Sequence, residues 1–146
     1  MLIFALVIAL TGCRTNNGDI GVYYGSWALK SVTIDDVEDT AWSSGNMWTT
    51  WSFQNNVICI SRTNDLQDMD TRWGTWSEDN GKLLLDFRHS DDNAAAGSGQ
   101  YAAPSWLYFE RNTVITLGID SQTSKAMTLS IVDANGRKIV YTLKKT

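Results

Sequence analysis

A chain of 146 residues is the size of one domain, and a globule of that length buries enough apolar surface to fold around one core without staples. The formal net charge of -4 provides no concentrated basic surface, which argues against nucleic acid as a partner, because phosphate binding depends on clustered Lys and Arg. Trp, Thr, Ser, Val and Ile, with Gly and Asn at intervals and the single proline Pro104, favour strands and tight turns over helices.

The first element in chain order is an uninterrupted apolar run over residues 2–10, followed by the small residues Thr11 and Gly12 and then Cys13. A helix needs about 20 apolar residues to cross a bilayer, so this run is too short to span and instead has the proportions of a signal-peptide core. The alternative is an ordinary N-terminal core strand or helix, but nothing amphipathic is visible in the run. Leu10-Thr11-Gly12-Cys13 resembles the lipobox of bacterial lipoproteins. That resemblance implies a signal peptide over 1–12, cleavage before Cys13, attachment of diacylglycerol to its sulfur and acylation of its new amine. Membrane lipid, held through acylated Cys13, is then the expected partner. The bacterial outer membrane is the expected location, with the periplasmic and exterior faces both open. Residues 13–24 read as a polar, flexible tether with a span on the order of 20 Å. The second cysteine, Cys59, sits in Val57-Ile58-Cys59-Ile60 and reads as a buried small hydrophobe, with a disulfide to Cys13 as the alternative.

From residue 25 onward, short alternating runs separated by turn residues predict strands over 25–34, 47–54, 57–63, 71–77, 83–88, 106–110, 114–119, 127–132 and 138–144. Asn55-Asn56 and Asn135-Gly136 suit hairpin connections that need positive φ. Residues 35–39 read as an acidic loop. The Gly- and Ala-rich stretch 93–103 reads as a long loop, a place for gates or binding surfaces. No convincing helix is visible, so the class is all-β, as a sandwich or a barrel.

Strand alternation puts Trp27 and Leu29, Trp51 and Phe53, Gly74 and Trp76, Leu83, Leu85 and Phe87, Met127, Leu129 and Ile131, and Tyr141 and Leu143 on one face. Gly25-Ser26-Trp27 resembles the Gly-x-Trp element that opens the first strand of lipocalins, where the tryptophan plugs the closed end. Trp73-Gly74-Thr75-Trp76 with Lys82-Leu83-Leu84-Leu85 looks like the central strand pair of the small lipocalin-like domains of Bacteroidota lipoproteins. Residues 127–145 are similar to their last hairpin. The resemblance covers 25–146 and implies one antiparallel up-and-down β-barrel of eight to nine strands.

By the same resemblance the barrel is a binding module taking a small hydrophobic or amphipathic ligand at its mouth. Trp27, Trp51, Phe53, Trp76, Phe87 and Tyr141 are the candidate contacts. The alternative is a non-catalytic envelope interaction or structural module with a solid barrel, docking through exposed Trp42, Trp48 and Trp106.

Catalysis has little support in the sequence. His89 is the sole histidine and there is no Gly-x-Ser-x-Gly elbow, so no enzyme activity is expected. His89 with Asp91 and Asp92 lacks further metal ligands at fixed spacing, and Asp65, Asp68 and Asp70 lack the spacing of a calcium loop. Gly97-Ser98-Gly99 formally opens a dinucleotide fingerprint, yet Pro104 and the strand expected after it deny the helix that would hold pyrophosphate. No metal and no cofactor are therefore expected.

Overall fold

A computed structural model of the chain describes residues 20–88 and 101–146. The expected signal segment, Cys13, and the loop residues His89, Asp91, Asp92, Gly97 and Gly99 lie outside the described residues.

Among the described residues there are nine strands: β1 (Gly25–Ile34), β2 (Val37–Asp39), β3 (Trp48–Gln54), β4 (Val57–Thr63), β5 (Met69–Asp79), β6 (Lys82–Asp86), β7 (Val114–Gln122), β8 (Ala126–Val132) and β9 (Lys138–Lys145). Eight of them close into an antiparallel meander, β1-β3-β4-β5-β6-β7-β8-β9, through pairing of β1 with β9, and the short β2 adds to the upper part of β1. The all-β barrel is thus the observed class, with one strand beyond the closed eight. Closure leaves no free edge within the eight-strand wall, which removes the usual aggregation hazard of exposed strand edges.

The sequence pattern explains the wall. Asn80 and Gly81 adopt positive φ of 48° and 73°, as a tight type I′ hairpin between β5 and β6 requires. Lys30 is an extra residue in β1, since Leu29 pairs with Leu143 while Ser31 pairs with Thr142. This bulge shifts the alternation by one, so that Trp27 and Leu29 below it and Val32 above it are all buried. Inward residues from every barrel strand, among them Trp27, Trp51, Ile58, Leu85, Leu117, Leu129 and Tyr141, form one core. The anticipated inward face therefore holds, with Trp76 and Ile131 only partly buried.

Several expectations need correction. Residues 106–110 are not a strand: Ser105–Leu107 form a 3-10 turn and Tyr108 has φ of 62°. Adjacent Trp106 and Leu107 are both buried, a pattern that a two-residue alternation cannot give. The acidic stretch 35–39 is a hairpin, with Asp35 and Asp36 at φ of 49° and 65° and β2 following. Trp42 and Trp106 are buried rather than exposed, whereas Trp48 is 47% exposed. Cys59 is half-buried and free, and burial pushes its thiol pKa up. The fold also starts before residue 25, because Gly21–Tyr23 form a 3-10 turn with Tyr23 buried in the core.

Gly74 is required by a close approach rather than by its backbone angles. A Cβ there would lie 2.6 Å from the Asp86 carbonyl oxygen and 2.8 Å from Phe87 Cδ1, so the chain leaving β6 crosses where no side chain fits. Gly74→Ala is expected to destabilise the barrel by about 1–3 kcal/mol, as overpacking does, measured by denaturant unfolding. Ser77→Ala on the outer face should fall within about 0.5 kcal/mol of the parent. Equal stability of the two variants would contradict this packing account.

Candidate functional site

The two ends of the barrel are built differently. At the lower end, the chain before β1 crosses the opening and is tied down by polar bonds. Trp27 Nε1 donates to the Tyr23 carbonyl at 2.9 Å, Lys145 Nζ donates to the Val22 carbonyl at 3.1 Å, and Tyr23 Oη donates to Glu78 at 2.5 Å. The Lys145 ammonium also stands 5.2 Å from the Trp27 ring centroid, within cation–π range. Phe53 and Trp76 pack on Tyr23 with centroid distances of 5.4 and 4.7 Å. This end is closed.

The upper end is covered by the segment 105–110. Trp106 Nε1 donates to Thr49 Oγ1 at 3.2 Å, Tyr108 Oη donates to Asp39 at 2.6 Å, and Tyr141 Oη donates to the Leu107 carbonyl. The additional strand β2 thus has a use, since it carries the carboxylate that holds Tyr108. Arg137 lies over the Tyr108 ring at 5.7 Å and is paired with Asp133 at 2.8 Å. Below the cover, Phe109 meets Trp51 and Tyr141 at centroid distances of 6.1 and 5.6 Å.

The six side chains expected at a ligand site are not gathered in one place. Trp27, Phe53 and Trp76 belong to the closed end, Trp51 and Tyr141 lie beneath the cover, and Phe87 packs over Gly74. Trp27, Trp51 and Tyr141 have no accessible surface, so they border neither solvent nor a void that admits a water molecule. Of the six, Trp76 borders surface hollows of about 310 and 360 Å³ beside Asn56 and Ser77. Among the described residues two others lie elsewhere, one of about 290 Å³ lined by Val57, Trp73, Thr75 and Tyr101, and one of about 280 Å³ by Tyr108, Phe109, Ile131 and Arg137.

Residues that the sequence reading passed over stand at the upper rim. Thr49 pairs with Arg62 and Arg62 with Asp70, while Ile60 pairs with Arg72. Directly paired residues share a face, and Thr49 and Ile60 are buried, so Arg62, Asp70 and Arg72 are on the inward face. Arg72 is held by Asp70 through bonds of 2.7 and 3.0 Å. The Arg62 guanidinium lies 4.5 Å from the Trp106 ring centroid and that of Arg72 5.8 Å. The alternation itself signals this arrangement, because Arg62 is in phase with Ile58 and Ile60, and Arg72 with Gly74 and Trp76.

Three buried donors lack an acceptor among the described residues: Trp51 Nε1, Arg62 Nε and Trp76 Nε1. Two of them, Trp51 Nε1 and Arg62 Nε, belong to the region beneath or beside the cover. Residues 64–68, which hold Asp65 and Asp68, form a turn organised by Asn64, whose Oδ1 accepts from the Leu66 and Asp68 amides at 3.0 Å. Among the described residues no three His, Cys, Asp or Glu side chains converge as a metal site.

No protein-family model matches the chain, and no curated protein matches it. Among solved structures it is similar to a lipocalin-like protein from Bacteroides uniformis, with a TM-score of 0.52 and 14% identity over 86% of this chain and all of that one. It is also similar to a protein from Bacteroides eggerthii, with a TM-score of 0.56 and 15% identity over 82% of this chain and 98% of that one. At such identities the likeness is one of fold, and the fold is a lipocalin-like β-barrel.

The tyrosines at both ends give the barrel a dependence on alkaline pH. Burial, then the hydrogen bond to Asp39 and the charge of that carboxylate, push the Tyr108 phenol up to about 12. Burial raises Tyr141 and, with the Glu78 hydrogen bond, Tyr23 further still. An unfolded tyrosine titrates near 10, so above that pH the unfolded chain binds fewer protons than the folded one and stability falls. The contribution is whole below about pH 10 and is lost as pH rises through about 12. Thermal melts at pH 9 to 12 should show a falling midpoint, with a shallower fall in Tyr108→Phe; identical slopes for parent and variant would contradict the assignment.

Proposed function

We propose that the chain is a lipid-anchored, non-enzymatic binding module that takes a small amphipathic ligand at the upper rim of its barrel, with the segment 105–110 as a displaceable cover. The observation that carries this reading is the pair of unsatisfied donors there, Trp51 Nε1 and Arg62 Nε. A buried donor without a partner costs about 1–3 kcal/mol, and a polar atom of a ligand would satisfy it. The packed core below makes the ligand a shallow guest, in contact with Trp51 and Tyr141 only where the cover yields. Trp27, Phe53 and Trp76 act as structural plugs of the closed end in this reading.

Anchoring through acylated Cys13 fits the orientation of the barrel. Seven residues lead from Cys13 to Ile20, about 25 Å when extended, and Gly21–Tyr23 are at the closed end. An anchored barrel would therefore turn its closed end to the bilayer and its rim away, whichever face of the outer membrane carries it. Cys13→Ala should abolish palmitate incorporation in a bacterial host; retained label would contradict the anchor.

A second reading rests on the absence of accessible surface at Trp27, Trp51 and Tyr141. It makes the domain a solid envelope module that docks on a partner through outward-facing Trp48. Titration of the full chain with fatty acids, bile acids, haem and retinoid probes, followed by tryptophan fluorescence, separates the two. The binding reading expects saturable quenching by at least one probe, weakened in Trp51→Phe and Trp106→Phe. No response across the panel would overturn it in favour of docking.

A further inference from the structure

We infer that the ligand is an acidic amphiphile whose carboxylate is bound by Arg62 at the upper rim, an inference that rests on the binding reading above. The rim places two guanidinium groups, Arg62 and Arg72, on the inward face of β4 and β5, and one carboxylate, Asp70, between them. That carboxylate is committed to Arg72 by two bonds of 2.7 and 3.0 Å. No ion pair or hydrogen bond engages the Arg62 guanidinium among the described residues; its contact is the Trp106 ring at 4.5 Å. The ring contact uses none of the guanidinium's hydrogen-bond donors, which project from its edge. Nε on that edge is already out of water and has no acceptor.

A cation in contact with an indole, with one N–H already out of water and short of an acceptor, is a receptor for an anion. The fork of Nε and a terminal nitrogen matches the two oxygens of a carboxylate. A positive point charge on a flexible stem would not need such preparation. The same indole supplies the transition to apolar surroundings: Trp106 leads into Leu107 and Phe109, both buried over Trp51 and Tyr141. A hydrocarbon chain following the carboxylate inward would thus displace side chains of the cover rather than those of the barrel wall. Trp51 is two pairings from Arg72, through Ile60, and its Nε1 is a second buried donor without an acceptor. Among the described residues, the pairing of Asp70 with Arg72 leaves the Arg62 guanidinium as the charge without a carboxylate.

The test uses the full chain in neutral phosphatidylcholine nanodiscs, titrated by tryptophan fluorescence with decanoate and with decanol. These probes share a tail and differ in the head. Decanoate should bind at least about tenfold tighter than decanol, as expected for a hydrogen-bonded charged contact. Arg62→Gln should remove that preference by weakening decanoate far more than decanol, and Arg62→Lys, which keeps the charge and loses the fork, should recover part of it. Far-UV circular dichroism of each variant checks folding. If Arg62→Gln fails to fold, the comparison of the parent with Arg62→Lys decides by the same criterion. Saturable binding of both probes with equal affinity would overturn the carboxylate assignment and leave the binding reading standing. No binding of either probe would overturn the carboxylate assignment, and silence across the wider panel as well would overturn the binding reading.

Discussion

Pairing of β1 with β9 is the constraint on which the rest of the structure depends. It turns an open meander into a tube whose inward positions all face one another, so that a residue's phase within its strand decides whether it meets core or water. The pairing is not uniform: the extra residue Lys30 divides β1 into a lower part beside β3 and an upper part beside β2. A strand without that bulge would carry Val32 to the outside while Trp27 and Leu29 stayed in. One inserted residue thus reconciles the apolar pattern of β1 with both of its neighbours.

The two ends of the tube are closed by different physics. Below, Trp27, Tyr23 and Lys145 tie the entering chain to the final strand through hydrogen bonds and a cation–π contact, and the aromatic trio of Tyr23, Phe53 and Trp76 fills the space. Above, the cover reaches the wall through three polar bonds, to Thr49, Asp39 and Tyr141. Its neighbours there include charged groups that have come inside. Burying charge is tolerated only where partners are provided, and Arg72 has its carboxylate while Arg62 has an indole. The lower end leaves one neutral indole N–H, that of Trp76, without an acceptor, whereas the upper end leaves a charged guanidinium short of one, and that asymmetry is why the upper end is the place to look for function.

Much of the barrel was legible in the sequence because its signals are local. Asn55-Asn56 and Asn135-Gly136 mark tight turns, and the alternation in 47–54, 57–63, 83–88 and 127–132 fixes faces without knowledge of neighbours. The failures were at places where tertiary contacts outweigh local pattern. Trp106 to Glu110 has strand-forming composition, but its aromatics are drawn onto the open end of the tube and the backbone reverses at Tyr108. Val37 to Asp39 looked like a loop, since its acidic neighbours conceal a turn that only two positive φ values reveal. The rim arginines are in phase with apolar residues, Arg62 with Ile58 and Ile60 and Arg72 with Gly74 and Trp76, so the alternation carries their signal. The candidate site was accordingly legible as a barrel end, with Trp51 and Tyr141 below it, but not as a polar one.

The central claim is that the upper rim, and not the closed end or the outer wall, receives the ligand. Nitrogen-15 resonances of the tryptophan indoles report on it residue by residue, because Trp51 and Trp106 flank the rim, Trp27 is bonded to Tyr23 at the opposite end, and Trp73 is 40% exposed outside. On saturation with decanoate, the account predicts displacement of the Trp51 and Trp106 signals while those of Trp27 and Trp73 stay in place. Displacement of Trp27 or Trp73 with Trp51 and Trp106 unmoved would contradict it.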